Sequence, residues 1–233
     1  LLNSSNDIKG LAFQKFIHSS IRTGRGQFFT PEAVVKLCVD MMQPNSTDKV
    51  LDPACGSGGF LTHTIRHVLR NENLERKEIL GFANRNIFGI EISKYAARIS
   101  KMMMILESDG FSNIVQYDSL SDWSQLNYAI NKFSDRNQKN YEEYFDVILT
   151  NPPFGTQGRI ENKSILKEYD LGYRWIFENN RWNKTNDILK GQVPDILFLE
   201  RCIKFLKPGG RIAIVLPNGN LENKSLGHVR QYI

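Results

Sequence analysis

The sequence predicts an α/β fold with a doubly wound, mostly parallel sheet, because strand-like apolar runs alternate with helical patterns along the chain. Most of the strand-like runs end in an acidic or polar residue, whereas the helical patterns repeat apolar side chains every three or four positions. A chain of 233 residues can hold one substantial domain of this class and an appendage. The predicted strands are Lys49–Asp52, Ile87–Glu91, Asn113–Asp118, Phe145–Thr150 and Arg211–Leu216.

Helices are predicted to connect these strands. Thr30 has the character of an N-cap and Pro31 suits the first helical position, which predicts a helix from there to about Met42. An amphipathic pattern over Asp7–Arg22 predicts the end of a helical segment that starts before residue 1. The other predicted helices run through Leu61, Ile65, Val68 and Leu69, over Lys94–Glu107, and over Val193–Leu206.

Two segments lack a clear period and are expected to be irregular. Ser119–Tyr144 is polar and is predicted to form a long excursion between strands. Gly155–Gln192 interleaves basic with aromatic side chains, which can bind backbone phosphates and stack on bases. A surface loop explains the same composition equally well, so the sequence leaves both readings open.

Composition restricts the class of protein. Hydrophobic residues make up 41% of the chain, no apolar stretch is long enough to span a membrane, and no signal-peptide pattern is present. The three cysteines are scattered without metal or disulfide spacing, which suits a reducing cytoplasm. His63 and His67 do not form a zinc-protease motif, so no metal site is predicted. A net charge of +5 suits a nucleic-acid partner without establishing one.

The most informative motif is Asn151-Pro152-Pro153-Phe154, directly after a predicted strand. Each proline fixes φ and lacks an N–H, so the chain leaves the sheet along a stiff path. The carbonyls of such a turn and the Asn151 side chain can accept hydrogen bonds, and Phe154 offers a flat apolar face. These groups suit a planar ligand with an exocyclic amine, such as a nucleobase, although a strand-ending turn with a buried Phe explains them equally well.

A glycine-rich turn follows the first predicted strand, with the sequence Pro53-Ala54-Cys55-Gly56-Ser57-Gly58-Gly59-Phe60. Glycine lets the backbone approach a ligand, and open α/β sheets bind ligands at the carboxyl ends of their strands. The turn lacks both the P-loop sequence and the G-x-G-x-x-G dinucleotide spacing. Asp52 just before the glycines also disfavours a pyrophosphate, so we expect a nucleoside with a cationic or zwitterionic tail.

Acidic side chains also end the next two predicted strands. Glu91 is placed to accept hydrogen bonds from both ribose hydroxyls, and Ile92 to lie against an adenine ring. Asp118 is placed to accept from an adenine amino group. A single carboxylate of this kind is more often a helix cap or a solvated loop residue. The recurrence of Asp52, Glu91, Asp118 and Asn151 at four successive strand ends favours a binding site.

These motifs resemble those of S-adenosylmethionine-dependent DNA adenine-N6 methyltransferases, and more closely those of modification subunits of type I restriction-modification systems. The matching segments are Gly26–Pro31, Asp52–Phe60, Gly89–Glu91, Asp118, Asn151–Phe154 and Pro208–Pro217. They occur in the family's order and cover nearly the whole chain from Gly24 to Gly219. The Asn-Pro-Pro-aromatic motif also occurs in methyltransferases of RNA and of protein glutamine, so the segment Gln27–Pro31 discriminates better.

The resemblance implies a fold of the class I S-adenosylmethionine-dependent methyltransferase (Rossmann-like) type and direct methyl transfer to N6 of an adenine flipped out of DNA. It assigns the chemistry to Asn151, Pro152, Pro153 and Phe154. In the family, the segment before the glycine turn closes over the methionine end of the cofactor. The cofactor-binding residues it implies are Gln27, Phe28, Phe29, Thr30, Pro31, Asp52, Pro53, Ala54, Gly56, Ser57, Gly58, Gly59, Phe60, Glu91, Ile92 and Asp118.

The same resemblance predicts the domain organisation and the partners. Residues 1–23 would be the end of an N-terminal helical segment, and residues 24–233 a methyltransferase catalytic domain that is incomplete at its C-terminus. The expected partners are DNA and the specificity and restriction subunits of the same system. Two alternatives remain: a methyltransferase of RNA or protein glutamine, and a non-catalytic DNA-binding member of the fold.

Overall fold

The computed structural model describes residues 30–108, 113–133, 138–155 and 158–233, without the side chains of Arg76 and Ser108. The helix predicted over Asp7–Arg22 and the predicted cofactor residues Gln27, Phe28 and Phe29 lie outside the described residues. Among the helices of the described part, none combines the length and apolar character that crossing a membrane requires.

A parallel five-stranded sheet forms the centre of the fold. Its strands are β1 (Val50–Asp52), β2 (Ile87–Glu91), β3 (Asn113–Gln116), β4 (Phe145–Thr150) and β7 (Leu206–Ile214), and two further strands, β5 (Tyr173–Glu178) and β6 (Arg181–Ile188), form a separate hairpin. The order across the sheet is β3-β2-β1-β4-β7, with every neighbouring pair parallel. In the middle, Leu51 aligns with Phe88 on one side and Ile148 on the other.

Helices cover both faces of this sheet, as the doubly wound prediction requires. They are α1 (Glu32–Met42), α2 (Gly59–Asn71), α3 (Arg76–Asn86), α4 (Lys94–Ser108), α5 (Trp123–Ile130), α6 (Lys163–Leu166), α7 (Pro194–Phe205), α8 (Asn218–Glu222) and α9 (Gly227–Tyr232). The first four pack through one apolar cluster that includes Val50 and Val147, and α5 and α7 pack through another that includes Leu51 and Ile148. Successive strand residues therefore face opposite layers, which confirms the predicted fold class.

The predicted strands Ile87–Glu91 and Phe145–Thr150 match β2 and β4 residue for residue, and the first strand is confirmed over Val50–Asp52. The third is confirmed in part, because β3 ends at Gln116, two residues before Asp118. The last is displaced, since β7 starts at Leu206 and not at Arg211.

The prediction that Ser119–Tyr144 is irregular was wrong in part. Asp122 accepts hydrogen bonds from the backbone N–H groups of Ser124 (3.0 Å) and Gln125 (3.3 Å) and thereby caps α5. The segment also contributes the buried rings of Phe133 and Tyr141 to the core beside α5. The described residues of this segment therefore belong in part to the layer that covers one face of the sheet.

The prediction that Gly155–Gln192 is irregular was also wrong in part, because this segment contains α6 and the β5–β6 hairpin. Asn179 and Asn180 both have positive φ, 52° and 60°, which is the backbone of a two-residue hairpin turn. The hairpin packs on α9, where the His228 ring lies 6.0 Å from the Trp175 ring and 5.5 Å from the Trp182 ring. Its aromatic residues are thus partly committed to packing within the domain.

Thr30 is not the N-cap of the first described helix. Pro31 occupies that position, since its carbonyl accepts from the N–H groups of Val34 and Val35, and α1 begins at Glu32. The Thr30 hydroxyl is used elsewhere, at the end of β4, as described below.

Arg201 on α7 is buried, with 1% of its surface exposed, and ties together two loops. Its guanidinium donates to the Ser121 carbonyl (2.9 Å) and to the Tyr169 hydroxyl (2.6 Å from Nη2). That hydroxyl donates in turn to the Leu120 carbonyl at 3.1 Å. Arg201 therefore fixes the chain just after β3 from the opposite side of the core.

We predict that Arg201→Leu destabilises the protein by about 2–4 kcal/mol, because it leaves the Ser121 carbonyl and the Tyr169 hydroxyl short of a buried donor. Urea unfolding of the full-length protein would measure the change. Arg98→Leu, at an exposed position on α4, is the matched control and should change stability little. Equal stability of the two variants would contradict the structural role of Arg201.

Candidate functional site

Four polar side chains lie at or just after the ends of four strands that are neighbours in the sheet. The order β3-β2-β1-β4 brings Asp118, Glu91, Asp52 and Asn151 to consecutive positions along one edge. The strands are parallel, so all four residues lie at the carboxyl edge, where open α/β sheets bind ligands. The structure therefore brings together the residues that the sequence singled out separately.

The glycine turn after β1 is open toward this edge. Gly56 has φ +52° and Gly58 has φ +88°, conformations that suit glycine. A Cβ on Gly56 would meet nothing within 4 Å, whereas one on Gly58 would lie 2.7 Å from Ser100 Oγ on α4. Gly58 is therefore required by packing, and Gly56 leaves space in front of the turn that a ligand can fill.

Glu91 is buried at the end of β2 and binds the turn through its carboxylate. Its Oε2 accepts from the Gly56 N–H and its Oε1 from the Ser93 N–H, each at 2.8 Å. Each carboxylate oxygen keeps a second lone pair, so Glu91 can still accept from two hydroxyl groups. Ile92, the next residue, is 63% exposed and presents an apolar surface beside them.

Asp52 lies at the end of β1 and is 1% exposed. Burial raises the pKa of its carboxyl to about 7, and the nearby Glu91 carboxylate adds to the rise, while the Thr150 hydroxyl and the Ala54 N–H partly offset it. The folded state thus holds a proton that the unfolded chain would release, so this group's contribution to stability falls as the pH rises from about 4 to about 7. Two close buried carboxylates favour a ligand with positive charge.

The chain after β3 closes one side of the site. Asp118 Oδ1 accepts from the Leu120 N–H at 2.9 Å, which holds a tight turn. The next residue, Ser119, donates its hydroxyl to the Pro53 carbonyl of the glycine turn at 2.5 Å. This contact fixes Asp118 relative to the glycine turn.

The Asn151–Phe154 motif closes the other side. Asn151 Nδ2 donates to the Thr30 Oγ1 at 2.9 Å, and its Oδ1 is buried without a hydrogen-bond partner among the described residues. A buried amide oxygen without a donor is costly, and at the carboxyl edge of the sheet a water molecule or a ligand can supply the missing group. Pro152 is buried, whereas Pro153 and Phe154 are exposed, with the Phe154 side chain 41% accessible. The reading of Phe154 as a buried turn residue is therefore wrong.

Sequence reasoning missed two contacts of this site. One is the bond between Thr30 and Asn151, which joins positions 121 residues apart. The other is the support of the Asp118 loop by Arg201 and Tyr169. Neither has a local sequence signal, because each depends on which strands are neighbours.

No cluster that could hold a metal ion occurs in the described ranges. His63 and His67 face different partners on α1: His63 lies 3.8 Å from Glu32, and His67 lies 3.3 Å from Asp40. These contacts give both histidines a role in packing α2 against α1.

Comparisons with known proteins identify relatives of this chain. Over 196 residues the chain is 29% identical to the type I restriction enzyme EcoEI methylase subunit of Escherichia coli, covering 84% of this chain and 33% of that subunit. A modification subunit assigned to a type I restriction enzyme of Vibrio vulnificus YJ016 superposes with a TM-score of 0.67 and 26% identity, over 99% of this chain and 42% of that one. The chain thus spans well under half the length of these two proteins.

The fold has more distant relatives too. A protein of Listeria monocytogenes assigned as a class I S-adenosylmethionine-dependent methyltransferase superposes with a TM-score of 0.65 at 14% identity, over 97% of this chain and 58% of that one, which shows a shared fold. The family model described as N-6 DNA Methylase matches residues 5–233. The chain therefore belongs to the N-6 DNA Methylase family.

Proposed function

We propose that this chain is the catalytic part of a site-specific DNA methyltransferase that transfers a methyl group from S-adenosylmethionine to N6 of adenine. The observation that carries the proposal is the buried Asn151 Oδ1, which has no donor among the described residues and lies along the same sheet edge as Glu91 and Asp52. That oxygen suits an amine substrate, and the two buried carboxylates suit a cationic nucleoside cofactor. In this proposal residues 24–233 form the catalytic domain and residues 1–23 the end of a helical segment.

The proposed cofactor fits the residues at this edge. Bound there, S-adenosylmethionine would supply a methyl group that its sulfonium has already activated. The open space before Gly56 would accommodate the nucleoside, where Glu91 would accept from the ribose hydroxyls, Ile92 would lie against the adenine ring and Asp118 would accept from its amino group. Asp52 lies on the side of the glycine turn and favours positive charge. Thr30 and Pro31 close the site from the segment before α1.

The residues after β4 would hold the substrate amine. A base inside a duplex is out of reach, so the target adenine must be flipped into the pocket. The amino lone pair of adenine is delocalised into the ring, which makes the nitrogen a weak nucleophile. Hydrogen bonds from its two N–H groups to Asn151 Oδ1 and to the Pro152 carbonyl would favour a pyramidal nitrogen. The same acceptors would stabilise the positive charge that develops on that nitrogen. The exposed ring of Phe154 would stack on the flipped base.

The wider assembly is part of the proposal. The relatives include methylase subunits of type I restriction enzymes, and a matching solved structure concerns assembly of a type I R-M system. We infer that this chain likewise belongs to a modification subunit in the cytoplasm. Its partners would be DNA, a specificity subunit that reads the sequence, and a restriction subunit.

The decisive assay combines the full-length protein and its specificity subunit with labelled S-adenosylmethionine and offers DNA, RNA and protein separately. The expected product is N6-methyladenine in DNA, identified by chromatography of digested nucleosides. Label in RNA or in protein glutamine, or in none of the three, would overturn the proposal.

We predict that Asn151→Ala lowers methyl transfer about a hundredfold or more, because it removes an acceptor that acts in the transition state. The affinity for S-adenosylmethionine should stay nearly unchanged, since Asn151 is assigned to the substrate amine. Single-turnover rates and calorimetry would separate the two effects. Asn73→Ala, at an exposed position between α2 and α3, is the control. A wild-type rate for the Asn151 variant would remove Asn151 from the mechanism.

We predict that cofactor binding releases protons from Asp52. At pH 7 a carboxyl with a pKa of about 7 is about half protonated, and a cationic ligand favours the carboxylate form. The affinity for S-adenosylmethionine should therefore increase as the pH rises from about 6 to about 8. Calorimetry in buffers of different ionisation enthalpy measures the proton count. The ligand's own amine contributes equally to wild type and to Asp52→Asn, so the difference in proton count between the two gives the contribution of Asp52. An equal proton count for both would contradict the assignment.

A further inference from the structure

The amide of Asn151 can present either of two opposite groups to the site. With Oδ1 facing the site, the amide can accept a hydrogen bond from a substrate amine. With Nδ2 facing the site, two donors would meet and no hydrogen bond would form. The two orientations have the same shape, so packing alone does not choose between them. A polar partner on the other side of the amide can hold it in one orientation, and a hydroxyl can do so as acceptor or as donor.

Thr30 is that partner. Its Oγ1 accepts from Asn151 Nδ2 at 2.9 Å, which leaves Oδ1 as the amide atom without a partner among the described residues. Thr30 is half-buried, so this contact is partly shielded from water.

A rigid element carries the Thr30 hydroxyl. The residue directly precedes Pro31, whose carbonyl starts the hydrogen-bond ladder of α1. Val35 and Val39 of α1 are buried in the core against α2, and Arg211 of β7 donates to the Met42 carbonyl at its end at 2.9 Å. The start of α1, two residues after Thr30, is thus held by packing that does not involve the Asn151 motif.

We propose that Thr30 is a positioning residue that orients the Asn151 amide, so that its oxygen faces the substrate amine. The inference rests on the proposed function and adds a role to Thr30, which the family resemblance assigns to the cofactor. It also couples the segment before α1 to the amine-binding motif.

The test uses Thr30→Val, which keeps the branched shape and removes the hydroxyl, and Thr30→Ser, which restores the hydroxyl. In the full-length protein, Thr30→Val should slow single-turnover methyl transfer about tenfold to a hundredfold, because the acceptor is no longer held in place. Thr30→Ser should stay within about threefold of wild type, and both variants should bind S-adenosylmethionine within about threefold of wild type.

A second arm places Thr30→Val in an Asn151→Ala background. A residue that acts only through Asn151 should cause no further loss of rate there. The inference is overturned if Thr30→Val transfers methyl groups at the wild-type rate, if a weakened cofactor affinity accounts for the whole loss, or if the loss persists in the Asn151→Ala background.

A third readout does not require activity and separates this inference from the proposed function. In protein with 15N-labelled asparagine, the signals of the Asn151 side-chain amide are those that disappear in Asn151→Ala. They should shift in Thr30→Val and stay near wild type in Thr30→Ser. A wild-type protein that fails to methylate DNA overturns the proposed function alone, whereas unshifted Asn151 signals in Thr30→Val overturn the orienting role.

Discussion

The buried carboxylate of Glu91 is the interaction on which the geometry of the sheet edge depends. It accepts hydrogen bonds from the Gly56 N–H of the glycine turn and from the Ser93 N–H just before α4, each at 2.8 Å. Its backbone carbonyl receives the Tyr117 N–H at 3.0 Å, which brings in the chain after β3. One residue at the end of β2 therefore holds three segments that are distant in sequence, and the positions of Gly56 and Asp118 follow from it.

The same arrangement explains the electrostatic character of the site. Asp52 and Glu91 lie on neighbouring strands and are both buried, so neither is fully solvated. Burial and this proximity raise the pKa of Asp52 to about 7. Positive charge bound nearby would lower that pKa again and relieve the repulsion. The hydrogen bonds that each carboxylate accepts stabilise the turns, while their proximity to one another is relieved by a bound positive charge.

Much of this edge could be predicted from the sequence, because its determinants are local. β2 and β4 are short, nearly continuous apolar runs that end in Glu91 and just before Asn151, and the polar and turn residues after them define their ends. The β5–β6 hairpin had a local signal that was missed: Asn179-Asn180 between aromatic runs suits the positive φ of a two-residue turn. Likewise, Asp122 before an apolar pattern indicates the start of α5.

Other features depend on tertiary structure and could not be read locally. Thr30 was interpreted as an N-cap from its neighbours, yet its hydroxyl binds Asn151, because α1 packs where β4 ends. Arg201 would ordinarily be placed on the surface as a charged helix residue, but it is buried under Tyr169 and Ser121. In both cases the contact spans at least 32 residues, and only the strand order reveals it.

The central claim is that one ligand site spans the ends of β3, β2, β1 and β4. A crystal structure of the full-length protein with S-adenosylhomocysteine, the cofactor without its methyl group, tests it most directly. We expect density across Gly56, with the ribose hydroxyls on Glu91, the adenine between Ile92 and Asp118, and the sulfur directed toward Asn151. Density elsewhere on the molecule, or a ligand whose ribose does not contact Glu91, would contradict it.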